Sequence, residues 1–138
     1  MYSNSILLVQ QPTASATYLR SLLEHKGYTV VEAPDTATAM DVVNGSEIAL
    51  VVTDLYLPIG KSRCLARVIG KSPALRRTKI LAYTAHGRRE DRAWARRIGA
   101  DGYVITRSGE ERLLSVVDHL MVTPSTPRRT ARRGQDLS

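Results

Sequence analysis

Hydrophobic positions along this chain alternate between two periods. Ile6-Leu7-Leu8-Val9 is a short apolar run of strand formers. Thr13 then reads as a helix cap, with Tyr18, Leu19, Leu22 and Leu23 at helical spacing and Gly27 as the stop. Thr29-Val30-Val31 predicts a second strand, and Ala39, Val42 and Val43 a second helix ending near Gly45. Ile48-Ala49-Leu50-Val51-Val52 is apolar throughout, the signature of a strand covered on both faces. Leu65, Val68 and Ile69 predict a third helix, and Ile80-Leu81-Ala82-Tyr83 a fourth strand. Trp94, Ala95 and Ile98 mark a fourth helix, with Trp94 read as core. Tyr103-Val104-Ile105 is a fifth strand, and Leu113, Val117, Leu120 and Met121 a closing fifth helix.

Five strand–helix pairs in strict alternation predict an α/β fold of the flavodoxin-like class. Its doubly wound parallel sheet has the strand order 2-1-3-4-5, with helices on both faces. A barrel needs eight such pairs. The domain is expected over residues 1–122, which suits a 138-residue chain. From residue 123 the sequence turns to Pro, Thr and Arg without apolar periodicity, and a disordered basic tail is expected over 123–138. In such sheets a site lies beyond the carboxyl ends of the strands, where the strand order reverses. The strand ends read from the sequence bring Gln10, Gln11, Asp54, Thr84 and Thr106 to that edge. That is one carboxylate, two amides and two hydroxyls.

Composition narrows the setting. Cys64 is the single cysteine, so the chain forms no internal disulfide and no multi-cysteine metal site. His25, His86 and His119 have no ligand spacing. Met1-Tyr2-Ser3-Asn4 lacks the basic start of a signal peptide, and no apolar run reaches membrane-spanning length. A cytoplasmic protein without a membrane partner is expected.

The net charge of +7 changes the picture once it is located. Residues 1–60 hold two basic and six acidic side chains, whereas residues 61–97 hold twelve basic and two acidic. Arg88, Arg89, Arg92, Arg96 and Arg97 crowd the fourth helix, with Arg89, Arg92 and Arg96 on one stripe. Four residues after Glu90 and Asp91 stand Trp94 and Ala95, so no Glu-to-Arg pair one turn on quenches the charge. Such a block suits an acidic protein face or, without sequence preference, nucleic acid.

Three stretches stand in order along the chain: Leu50-Val51-Val52-Thr53-Asp54 with Leu55-Tyr56-Leu57-Pro58, then Leu81-Ala82-Tyr83-Thr84-Ala85, then Gly99-Ala100-Asp101-Gly102-Tyr103-Val104. On these motifs the chain from Ile6 to about Leu120 resembles a response-regulator receiver domain, the family of the chemotaxis regulator. The resemblance implies that Asp54 stands at the phosphoacceptor position and that Thr84 contacts the phosphoryl group. It further implies that Tyr103 changes orientation with the switch and that the carbonyl of Tyr56 helps to hold a metal. The partners it implies are a histidine kinase or another signalling protein, docking on the face of helix four, strand five and helix five. Here that face carries Arg88, Arg89, Arg92 and Arg96 and suits an acidic target. No oligomeric state follows.

The chain departs from the family at the metal and at the lysine. Gln10 and Gln11 stand where the family has an acidic pair, and Thr106, followed by Arg107, stands where it has a lysine. Mg²⁺ takes oxygen ligands and is usually anchored by carboxylates. Each lost carboxylate–metal attraction is worth roughly several kcal/mol even at a dielectric near 20. Gln amides can instead hydrogen-bond Asp54. The expectation is therefore an atypical single-domain receiver with no cofactor and weak or absent Mg²⁺ binding. It is not an enzyme, and it acts through protein contacts without standard aspartyl phosphorylation. The alternatives are a receiver still phosphorylated at Asp54, and a basic nucleic-acid-binding regulator.

Overall fold

The apolar run at the start of the chain forms β1 (Ser5–Val9), and its two neighbours in the sheet fix where everything else lies. The computed structural model describes residues 4–10, 14–54, 77–85, 87–97 and 99–123, the side chains of 14 and 15 excepted. After β1 come α1 (Ala14–His25), β2 (Thr29–Ala33), α2 (Thr36–Gly45) and β3 (Leu50–Thr53). Then follow β4 (Lys79–Thr84), α3 (Arg89–Arg97), β5 (Gly102–Ile105), a 3₁₀ turn at Thr106–Ser108 and α4 (Glu110–Val122). The helix expected at Leu65, Val68 and Ile69 lies outside the described residues, as do Cys64, the cap at Thr13 and the tail from 124 on.

All four strand pairings are parallel, and the order is β2-β1-β3-β4-β5. The five-stranded, doubly wound arrangement expected from the alternation is the one found. Parallel strands buried on both faces must be apolar at consecutive positions, and β3 is buried at every residue. Successive side chains point to opposite faces. Leu7, Val9, Val51, Ile80 and Ala82 pack with Ala39 and Val43 of α2 and Ala95 of α3. Ile6, Leu8, Leu50, Val52, Leu81 and Val104 pack with Leu19 and Leu23 of α1 and Leu113, Val117 and Leu120 of α4. Each of these large side chains contributes about 1.5–3 kcal/mol on burial. Trp94 is half-buried against the first cluster, which agrees with its reading as a core residue.

Local signals set the boundaries. Asp35 caps α2, its side chain accepting a hydrogen bond from the Thr38 N–H at 2.8 Å. Gly27 ends α1 at φ 100°, a left-handed conformation that glycine adopts without strain. At Gly102 the requirement is space. A Cβ there would meet Leu81 Cδ1 at 3.0 Å and Leu120 Cδ1 at 3.1 Å, so the missing side chain lets α4 close onto β5.

Candidate functional site at the carboxyl edge of the sheet

Register carries the site residues to one edge. Val9 pairs with Thr53 and Thr53 with Ala82, so the residues just after β1 and β3 emerge beside the last turn of β4. Gln10 follows β1 and extends the ladder by one bond, its N–H donating to the Ala33 carbonyl at 3.2 Å. Asp54 follows β3 and is half-buried. Thr84 closes β4, is fully buried, and donates from Oγ1 to Asp54 Oδ1 at 3.1 Å. The Thr53 hydroxyl donates to the Asp54 carbonyl at 3.2 Å. Asp54 and Thr84, 30 residues apart in sequence, are thus joined as the topology requires. One bond to Asp54 therefore comes from this hydroxyl. Gln11 and Tyr56 lie outside the described residues.

Tyr103 stands on β5 opposite Ala82 and is half-buried. Burial raises its hydroxyl pKa above the usual tyrosine value. The charges of Asp91 and Asp54 push the same way, and Arg92 opposes them. The Arg92 guanidinium lies over the ring, 5.0 Å from its centroid, within cation–π range.

The residue in the lysine position behaves differently from a strand residue. β5 stops at Ile105, the last residue of the strand read from the sequence, and Thr106 opens the 3₁₀ turn. The turn closes with the Gly109 N–H donating to the Thr106 carbonyl, and Gly109 takes φ 95° to enter α4. Thr106 and Arg107 are both exposed, so strand alternation no longer decides where Arg107 points.

On α3 no acid pairs with an arginine four residues on among the described residues, but Asp91 meets one backwards along the chain. It is 1% exposed, and its Oδ2 accepts from the Arg88 backbone N–H at 3.1 Å and from Arg88 Nε at 3.3 Å. This is the reciprocal half of a capping box, with the acid three residues into the helix satisfying the residue that precedes it. Arg88 is therefore partly neutralised, although its side chain stays 73% exposed. Arg89, Arg92 and Arg96 are exposed, and among the described residues no carboxylate pairs with them. Residue type and spacing suffice to find the Asp91 cap. The Arg92–Tyr103 contact depends on how α3 crosses β5, which no local pattern encodes.

Mg²⁺ prefers an octahedral set of oxygens with carboxylate anchors, and Asp54 is the carboxylate that follows β3 at this edge. Among the described residues no group of three His, Cys, Asp or Glu side chains could hold a metal ion.

A parallel sheet ordered 2-1-3-4-5, with an aspartate after its third strand bonded to a threonine ending its fourth, defines the architecture of a signalling receiver. The chain belongs to the response regulator receiver domain family, whose pattern matches residues 6–118, and such domains serve two-component signalling. The aerobic respiration control protein ArcA of Escherichia coli (strain K12) is 29% identical over 104 residues, 75% of this chain and 42% of that protein. The transcriptional regulatory protein CpxR of the same organism is 30% identical over 101 residues, 73% of this chain and 42% of its own length. This chain spans about two-fifths of those two relatives. A response regulator from Chloroflexus aurantiacus J-10-fl shares the fold with a TM-score of 0.77 at 21% identity, over 88% of this chain and 99% of that one. The receiver domain of the sensor histidine kinase PA1611 from Pseudomonas aeruginosa PAO1 has a TM-score of 0.76 at 22% identity, with 88% and 99% coverage. It was solved with a magnesium ion in its active-site cleft.

Proposed function

We propose that this chain is an atypical receiver that signals through protein contacts and not through magnesium-dependent phosphorylation of Asp54. One observation carries the reading. Asp54 is the sole acid that the sequence brings to an edge where the family has three, because Gln10 and Gln11 fill the other two positions. Transfer of a phosphoryl group to a carboxylate brings two anions together, and its catalysis is mostly positioning and charge neutralisation. Neutral amides and the solvent-facing Thr106 provide no positive charge for that step. The Thr84 hydroxyl satisfies one oxygen of Asp54 without a metal. The output surface is α3, whose arginine stripe takes an acidic signalling protein, either a histidine kinase or a downstream target.

The test is incubation with acetyl phosphate and Mg²⁺, followed by intact-mass measurement. The expected result is no adduct beyond that of an Asp54→Asn control. The Asp54–Thr84 bond favours a second reading, since it keeps the acceptor and its hydroxyl partner in place. A stoichiometric adduct that disappears in the control makes the chain a working phosphoacceptor and retires the first reading.

A further inference from the structure

The chain has two asparagines, Asn4 and Asn44, and the fold treats them differently. The Asn4 side chain is held, its Nδ2 donating to the Gly27 carbonyl at 3.0 Å. Asn44 is exposed in the last turn of α2, and among the described residues its amide has no hydrogen-bond partner. Gly45 is the final residue of that helix, and Ser46 after it is extended at φ −142° and ψ 156°. Residues 44–47 are all exposed, between the buried Val43 and Ile48. A helix end of this kind frays before the body of the helix opens. Nothing in the packing requires glycine at position 45. It lacks a positive φ, and a Cβ there would meet no atom within 4 Å. What glycine does supply is an unshielded backbone nitrogen next to an untethered side-chain amide.

We propose that Asn44 is a site of spontaneous covalent modification, at which the Gly45 backbone nitrogen attacks the Asn44 side-chain amide. The bond from this nitrogen to Cγ forms, the Cγ–Nδ2 bond breaks, and ammonia leaves with the proton lost by the Gly45 nitrogen. Water then adds to either carbonyl of the succinimide ring and opens it, leaving aspartate or isoaspartate. Water is the only co-reactant, and nothing is oxidised or reduced. The product carries a new negative charge at the carbonyl end of α2, where the helix dipole disfavours one. Asp41 stands three residues before it, and the last turn holds no basic side chain to offset the pair. Isoaspartate also lengthens the main chain directly after Val43, a buried member of the core cluster. The change therefore loosens the end of α2. That end leads into the start of β3, whereas Asp54 follows the far end of the same strand and keeps its geometry.

The experiment incubates the full chain in mildly alkaline buffer made with heavy-oxygen water, then follows its proteolytic peptides by mass and retention time. The peptide holding Asn44 should lose its amide nitrogen, gain one heavy oxygen and separate into an aspartate and an isoaspartate form. The peptide holding Asn4 should stay unchanged over the same period. Gly45→Ala should keep the fold and slow the conversion by at least about tenfold. Asn44→Asp should raise amide hydrogen exchange in the last turn of α2 and leave the Asp54 amide unshifted. If Asn44 stays intact in the folded chain while the same residue converts in urea, the fold protects it and the proposal falls. Conversion of Asn4 as fast as Asn44, or of Gly45→Ala as fast as the parent, overturns it as well.

Discussion

Asp118 uses both of its oxygens to join the end of α1 to α4. Tyr28 Oη donates to Oδ1 at 2.6 Å, and Lys26 Nζ meets Oδ2 at 2.6 Å. Burial and the neighbouring carboxylate push the Tyr28 hydroxyl up to about 12. Burial acts to raise the Asp118 carboxyl, but the hydrogen bonds from Lys26 and Tyr28 outweigh it and leave the group below its ordinary value. The two shifts fix a pH window. A raised tyrosine stabilises the fold below its unfolded pKa, near 10, and that contribution is lost as pH rises towards 12. A lowered carboxylate stabilises above its unfolded pKa, near 4, and its contribution is lost as pH falls through the folded value. Tyr28→Phe should therefore cost about 1 kcal/mol at pH 7, less than a buried charged bond because the pair is partly solvated. Urea unfolding across pH should find the difference between parent and variant largest from about pH 5 to about pH 10. A difference that is flat with pH would remove Asp118 as its cause.

At the scale of elements, α3 depends on an acid turned inward. Asp91→Ala should destabilise by about 1–2 kcal/mol, since it orphans the Arg88 N–H at the helix start. Asp91→Asn keeps an acceptor and should lose less than half of that, with both read as urea midpoints at unchanged m-value. The sequence held the information for this cap. Asp91 is four residues before Ala95, so it falls on the stripe already read as the inner face, and both are buried. Strands were legible for a stronger reason. β1, β3 and β4 are covered on both faces, so their apolar runs are unbroken and their order follows from the alternation. The turn after β5 was not legible, because Thr106 suits a strand and the turn is set by the chain conformation around Gly109. The bond from Thr84 to Asp54 follows from topology, whereas the stacking of Arg92 on Tyr103 depends on a helix crossing.

Across the whole molecule, the sheet separates two layers, with α2 and α3 on one side and α1 and α4 on the other. The stripe on α3 follows β4, near the β5 end of the sheet, while the acid-rich first sixty residues build the β2 end. A charge so concentrated will also attract DNA. The affinity should fall linearly on a log–log plot against salt and show no preference among duplexes of equal length. Replacing Arg89, Arg92 and Arg96 by Gln should reduce that slope by about 2–3, as fluorescence anisotropy would measure. A complex that prefers one sequence and persists at physiological salt would make the chain a DNA-binding regulator. The other pole of the molecule is fastened in a different way. Lys79, the first residue of β4, donates its ammonium to the carbonyls of Leu120 and Thr123 at the end of α4. Thr123 is thereby held at the amino-terminal rim of the sheet, a full strand length from Asp54. A fluorophore placed at Thr123 starts out at the rim opposite Asp54, which makes that position the natural handle for labelling this molecule.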